Sequence, residues 1–161
     1  MDLQESFSEK PKLLESWLAT IGSLTIFWSP IERHIDQCVH LLHAKLPESS
    51  NKKKPGSLTR KLEFITCHLP DSVVEKDEIL SLSENTKSTV QIRDVCVHGV
   101  LESYNENEIK ISKVDGKKSD YVTEIFTIDG ERLNKSAQSL SNLSKDWGQI
   151  ANALVHQTTN S

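Results

Sequence analysis

The residues best suited to chemistry lie in one short segment, where Arg93, Asp94 and His98 precede Gly99. A guanidinium can pair with two phosphate oxygens at once and stabilise negative charge that develops on phosphorus. An imidazole exchanges protons near neutral pH and can therefore serve as a general acid or base. Together these groups suit metal-independent cleavage of RNA, in which the ribose 2′-hydroxyl loses a proton and attacks the adjacent phosphorus.

The spacing of these residues limits how they can cooperate. Arg93 and His98 are five positions apart, which is about 140° of rotation on a helix, so simple spacing does not place them on one face. Asp94 is four positions before His98, shares its face, and is expected to hydrogen-bond the imidazole and hold its orientation. One histidine does half of the acid–base work, so a second copy of the chain across a dimer axis would supply the other half.

The first part of the chain is predicted to be helical. Apolar residues at helical spacing run from Leu14 to Trp28, and Pro30 then interrupts the pattern. Ser29 and Glu32 are spaced as a capping box around this proline. Either two helices meet here or one long helix kinks, because proline removes a backbone donor and clashes with the preceding turn.

Three more helices are predicted further along the chain. Ser57 is placed to cap a helix that Pro70 closes. A longer helix covers about 73–98, and Gly99 is expected to end it in the left-handed conformation. The last helix has an apolar seam at three- and four-residue spacing, formed by Leu140, Leu143, Trp147, Ile150 and Leu154.

The hydrophobic period changes between the last two helices. Ile109 and Ile111 alternate with polar residues, and Asp115-Gly116 is a strong turn signal. We therefore predict a small β-hairpin or meander at 100–128, inserted before the last helix. The fold class that follows is mainly α, an up-and-down helical bundle with this β insertion.

Length and composition indicate the class of protein. The chain has 161 residues, which fits a single domain over 1–161 whose polar residues 1–11 are frayed. The net charge of −4 is unlike that of proteins that grip long nucleic acids mainly through phosphates. The three cysteines have no CxxC spacing, and neither a signal peptide nor a membrane span is evident. These features predict a cytoplasmic protein.

Other candidate sites have simpler interpretations. His34, Cys38, His40 and His43 form two pairs at helical spacing, but the pairs point in different directions and no second cluster has zinc-like spacing. Cys96 is interpreted as a small core residue rather than a nucleophile. No glycine-rich phosphate loop has the required spacing. We therefore predict no metal and no cofactor.

The segment Arg93-Asp94-Val95-Cys96-Val97-His98 resembles the R-x4-6-H signature of the HEPN superfamily (higher eukaryotes and prokaryotes nucleotide-binding domain). The family often has Asn, Asp or His directly after the arginine, and Asp94 fits that position. The stretch 28–39 resembles the opening helix of small HEPN proteins, and 58–65 resembles the helix that follows. The layout of most of the chain is similar, whereas only the six-residue motif is chemically specific.

The resemblance implies a fold, an activity and a role for each site residue. It implies a homodimeric helical bundle in which two motifs face one another and cut RNA without metal, leaving a 2′,3′-cyclic phosphate. Arg93 is implied to stabilise the phosphate or transition state, His98 to act as the acid–base group, and Asp94 to tune the pair. Glu32, on the opening helix, is a secondary candidate.

The resemblance also implies partners and a biological setting. Many members are endoribonucleases of toxin–antitoxin or other defence systems, so an antitoxin or a nucleotidyltransferase is an expected partner beside the RNA substrate. The alternative is a non-catalytic HEPN-like module that binds RNA, a nucleotide or a partner protein, because a fold does not determine an activity. The acidic balance of the chain favours this alternative.

Overall fold

The structure is a computed structural model that describes residues 5–48, 53–117 and 120–159. Within these residues the chain is mainly helical, with a small antiparallel sheet before the last helix, as the sequence predicts. The elements in chain order are α1 (Glu5–Ala44), α2 (Leu58–His68), α3 (Lys76–His98), β1 (Val100–Tyr104), β2 (Glu108–Lys117), β3 (Asp120–Asp129) and α4 (Gly130–Thr159).

The described residues form two compact units. The first comprises 5–26 and 89–139, and therefore holds the sheet and the end of α3. The second comprises 27–88 and 140–159, and holds α2 together with parts of α1, α3 and α4. Among the described helices none has both the length and the hydropathy that a membrane-spanning segment needs.

Helix α1 continues through Pro30 without a break. The two-helix interpretation of this segment is therefore wrong, and no capping box forms at Ser29 because no helix begins there. An internal proline costs about 3 kcal/mol, but Trp28 and Ile31 on either side of it are buried, and burial of such side chains stabilises each by roughly 1.5–3 kcal/mol. The helix also includes residues 5–11, which the sequence predicts to be frayed, whereas residues 1–4 lie outside the described part of the chain.

The second unit has a helical core. The predicted seam of α4 is confirmed, because all five of its apolar residues are buried. The largest of them, Trp147, also satisfies its polar atom, since its indole Nε1 donates to the hydroxyl of Thr86 at 3.0 Å. A second buried polar contact joins the hydroxyls of Thr66 and Ser83 at 3.2 Å. Burial of both partners makes such contacts sensitive to substitution, because a single truncation leaves the other polar group unsatisfied.

Helix α2 begins and ends close to where the sequence predicts. The hydroxyl of Ser57 accepts a hydrogen bond from the backbone N–H of Arg60 at 3.4 Å, which satisfies one of the free donors of the first turn. The backbone N–H of Leu69 donates to the carbonyl of Ile65, and the helix stops before Pro70 because a residue preceding proline disfavours helical angles.

The sheet is a meander of order β1-β2-β3, in the predicted position. Ile109 and Ile111 of β2 are buried, as their alternation indicates. The turn predicted at Asp115-Gly116 is wrong, because β2 continues to Lys117, which pairs with Asp120. Residues 118–119, which join the two strands, lie outside the described part of the chain.

The turn between β1 and β2 is built around Asn105 and is absent from the sequence-based predictions. The side-chain Oδ1 of Asn105 accepts from the backbone N–H groups of Asn107 at 2.8 Å and Glu108 at 3.0 Å. The carbonyl of Asn105 accepts from the indole N–H of Trp17 on α1 at 2.9 Å. The sequence signal was present, since asparagine favours turns by bonding to the backbone just after it.

Candidate active site

The candidate site lies where α3 ends against the sheet. Gly99 follows the helix, and its N–H donates to the carbonyl of Val95 at 2.9 Å. A Cβ atom at this position would lie 2.5 Å from the Val95 carbonyl oxygen, 2.9 Å from that of Ser112, and against the side chain of Ile111. Glycine is therefore required by close packing onto β2. Its φ lies outside the left-handed region, so the predicted left-handed helix end is wrong.

Arg93 pairs with its neighbour in the chain. Its Nη1 donates to Oδ1 of Asp94 at 2.9 Å, with 18% of the Arg93 side chain and 38% of the Asp94 side chain exposed. The Nε of Arg93 is buried and has no hydrogen-bond partner among the described residues. A buried donor left without a partner costs about 1–3 kcal/mol of folding free energy.

His98 is the last residue of α3 and is exposed. Its side chain has no hydrogen-bond or ion-pair partner within the described chain. The expectation that Asp94 hydrogen-bonds His98 is therefore wrong. Helical spacing identified the shared face of these two residues, but a charge-assisted bond to the flexible Arg93 side chain engages the carboxylate instead.

Glu32 is an exposed residue of α1. It belongs to the second compact unit, whereas Arg93, Asp94 and His98 belong to the first. The side chain is exposed and forms no ion pair with a described residue. The structure thus brings Arg93 and Asp94 into contact, places His98 one helical turn after Asp94, and leaves Glu32 a prediction from resemblance.

The cysteine of the motif is poorly suited to nucleophilic chemistry. Burial raises the pKa of the Cys96 thiol to about 11 and that of the Cys38 thiol to about 12. The thiolate is the nucleophilic form, so both groups are essentially unreactive at neutral pH. Cys67 is exposed, and none of the three forms a disulfide.

The histidines of α1 are not gathered around a common centre. Burial and then the nearby charge of Arg33 lower the pKa of His34, which packs against Gly148 of α4. Among the residues that the structure describes, no three His, Cys, Asp or Glu side chains are grouped as metal ligands would be.

A cluster on α2 was missed by the sequence interpretation. Arg60, Phe64 and His68 follow one another at intervals of four residues, which places them along one helix face. They line an open cavity of about 370 Å³ in the second unit, together with Lys53. The four-residue spacing of Arg60, Phe64 and His68 is visible in the sequence and indicates a shared helix face. The prediction of α2 used only its apolar positions, which form the buried face.

Comparisons of the chain with protein-family profiles, with curated proteins and with solved structures find no match.

Proposed function

We propose that the chain is a HEPN-type, metal-independent endoribonuclease that acts as a homodimer in a toxin–antitoxin or defence setting. The observation that carries the proposal is the end of α3, where exposed His98 follows an arginine that a carboxylate holds at 2.9 Å. The unpaired Nε of Arg93 adds to it, because costly buried polar groups are often kept for function.

The proposed reaction is an internal transesterification. His98 accepts the proton of the ribose 2′-hydroxyl, and the freed oxygen attacks the adjacent phosphorus. The bond from phosphorus to the 5′-oxygen breaks, and that oxygen takes a proton from His98 of the partner subunit. The products are a 2′,3′-cyclic phosphate and a 5′-hydroxyl. The reaction needs both a base and an acid. One copy of the chain presents a single imidazole at this helix end, so the partner subunit supplies the second.

Arg93 and Asp94 have distinct roles in this scheme. The guanidinium offers its other Nη hydrogens to the phosphate, where negative charge grows in the transition state. Asp94 is a positioning residue, and it acts on Arg93 rather than on His98 because its contact is with the guanidinium. Glu32 remains a secondary candidate. An antitoxin or nucleotidyltransferase remains the expected partner.

Product chemistry and metal dependence test the proposal directly. Purified protein is incubated with a single-stranded RNA in the presence of excess EDTA, and the new ends are identified. We expect cleavage to persist and to yield cyclic phosphate and 5′-hydroxyl ends. Loss of cleavage in EDTA, or 3′-hydroxyl ends, would contradict the scheme, because internal attack by the 2′-oxygen needs no metal and cannot produce a 3′-hydroxyl.

The alternative function is a non-catalytic HEPN-like module that binds RNA, a nucleotide or a partner protein. The observation that favours it is the limited exposure of Arg93, whose side chain is 18% accessible. An arginine this enclosed can serve as a support for the helix end. Under this alternative, clean preparations do not cut RNA, although they retain binding.

A further inference from the structure

A second site lies on the exposed face of α2, away from the cleavage motif in the chain. Lys53, Pro55 and Phe64 line an open cavity of about 370 Å³ there, with Arg60 and His68 beside them. This volume lies in the range of about 300–1,000 Å³ that small-molecule sites occupy. All of these residues belong to the second compact unit.

The cavity contains an aromatic stack. The rings of Phe64 and His68 lie 4.3 Å apart between centroids, with an angle of 26° between their planes. His43 of α1 is tilted against the same phenylalanine, at 6.1 Å and 37°. Flat rings held in this way present a surface on which a nucleobase can stack.

The His68 ring has a fixed tautomer. Its Nδ1 lies 2.8 Å from the backbone carbonyl oxygen of Phe64. A carbonyl oxygen can only accept, so Nδ1 carries the proton and donates it. In the neutral ring Nε2 is then an acceptor at the ring edge, and the face of the ring remains for stacking.

The rim of the cavity carries two cations that are free for a ligand. Lys53 and Arg60 are exposed and form no ion pair with any described residue. The neighbouring Lys61, by contrast, is bound to Asp36 at 2.6 Å. One carboxylate, that of Glu63, also lies at the rim. The charge balance at the cavity is therefore positive, although the whole chain is acidic.

We propose that this cavity binds one nucleotide of single-stranded RNA. The base stacks on Phe64 and His68, and the phosphate pairs with Arg60 and Lys53. Stacking together with cations is the combination that single-strand binding proteins use. This site rests on the proposed function only for its substrate class, because a protein that cleaves RNA needs to hold the RNA strand. An acidic protein segment would use the cations but has no need of the ring stack.

Direct binding of a probe that resists cleavage tests this site. The probe is a short, fluorescently labelled 2′-O-methyl RNA, which lacks the hydroxyl that internal cleavage requires, and anisotropy reports its binding to the full chain. We expect Phe64→Leu to weaken binding about 5- to 150-fold, the range that loss of base–aromatic stacking spans. Phe64→Trp should retain binding. Phe27→Leu, at a phenylalanine that is 37% exposed on α1, is the matched control and should bind like the parent.

Salt dependence tests the cations separately. We expect Arg60→Gln to reduce the slope of log affinity against log salt by about 0.7, the value for one phosphate contact on a single strand. Arg132→Gln, at an exposed arginine of α4, should leave the slope unchanged. Circular dichroism of each variant establishes that it is folded.

Three results would overturn the site. They are parental affinity in folded Phe64→Leu, an unchanged slope in Arg60→Gln, and an acidic peptide that binds with the same dependence on Phe64 while RNA does not. Failure here is distinct from failure of the proposed function. A protein that cleaves RNA but binds the probe independently of Phe64 loses only this site, and one that binds through Phe64 without cleaving loses only the activity.

Discussion

Arg93 and His98 have different surroundings, because Arg93 is mostly enclosed and pairs with Asp94, whereas His98 is exposed. The sequence predicts that these residues lie at the end of a helix, and α3 does end at His98. It does not provide the partner of Asp94, because helical spacing describes where side chains leave the backbone and not how far a flexible arginine reaches. The pairing at 2.9 Å therefore had to be seen in the structure.

Residue-level burial also decides the reactivity of the thiols. At pH 8 we expect an aromatic disulfide reagent to label Cys67 quickly in the native protein, because this residue is exposed. Cys96 and Cys38, with pKa values raised to about 11 and about 12, should react far more slowly, since about one Cys96 thiol in a thousand is ionised at that pH. The measurement is the time course of release of the aromatic thiolate, one per cysteine labelled.

The control for this labelling is Cys67→Ser, which should remove the fast phase and leave the slow one. Unfolding in denaturant should make all three cysteines react together. Fast labelling of native Cys67→Ser would show that Cys38 or Cys96 is accessible and ionised, which contradicts the burial of these two thiols.

Single elements were predicted well where one signal dominates and poorly where two compete. The cap at Ser57 and the buried seam of α4 follow from local chemistry and from periodicity, and both are found. Pro30 and Asp115-Gly116 carry strong local signals for a break, yet the helix and the strand continue through them. Tertiary burial and strand pairing outweigh these signals, and neither can be read from a short window of sequence.

The junction between α3 and β1 offers a test at the scale of elements. We expect Gly99→Ala to destabilise the fold by about 1–3 kcal/mol, the usual cost of overpacking, because its methyl group would meet Ile111 and two carbonyl oxygens. Gly22→Ala is the matched control within α1, where an added Cβ meets nothing within 4 Å. That change should stabilise the protein by about 0.5–1 kcal/mol, since alanine favours a helix interior.

Urea unfolding followed by circular dichroism measures both changes in the free energy of unfolding. Equal stability of Gly99→Ala and the parent would contradict the close approach of β2 to this glycine. The outcome also matters for the candidate site, because Gly99 follows His98 directly.

At the scale of the whole molecule, charge and function must be reconciled. The chain is acidic overall, with a net charge of −4, so a broad electrostatic grip on RNA is not expected. We propose two small sites instead, one at the end of α3 and one on α2, where Lys53 and Arg60 form no ion pair with a described residue. The mainly helical class was predictable from periodicity. The division into two compact units was not, because α1, α3 and α4 each contribute residues to both.

The cleavage rate of His98→Ala on single-stranded RNA is the most direct test of the central claim. We expect a fall of about 100-fold or more, the usual contribution of a general acid or base, and a comparable fall in Arg93→Ala. His156→Ala, at an exposed histidine in the last turn of α4, should cleave like the parent. Parental rates in folded His98→Ala and Arg93→Ala, or clean parent protein that never cleaves RNA, would contradict the account.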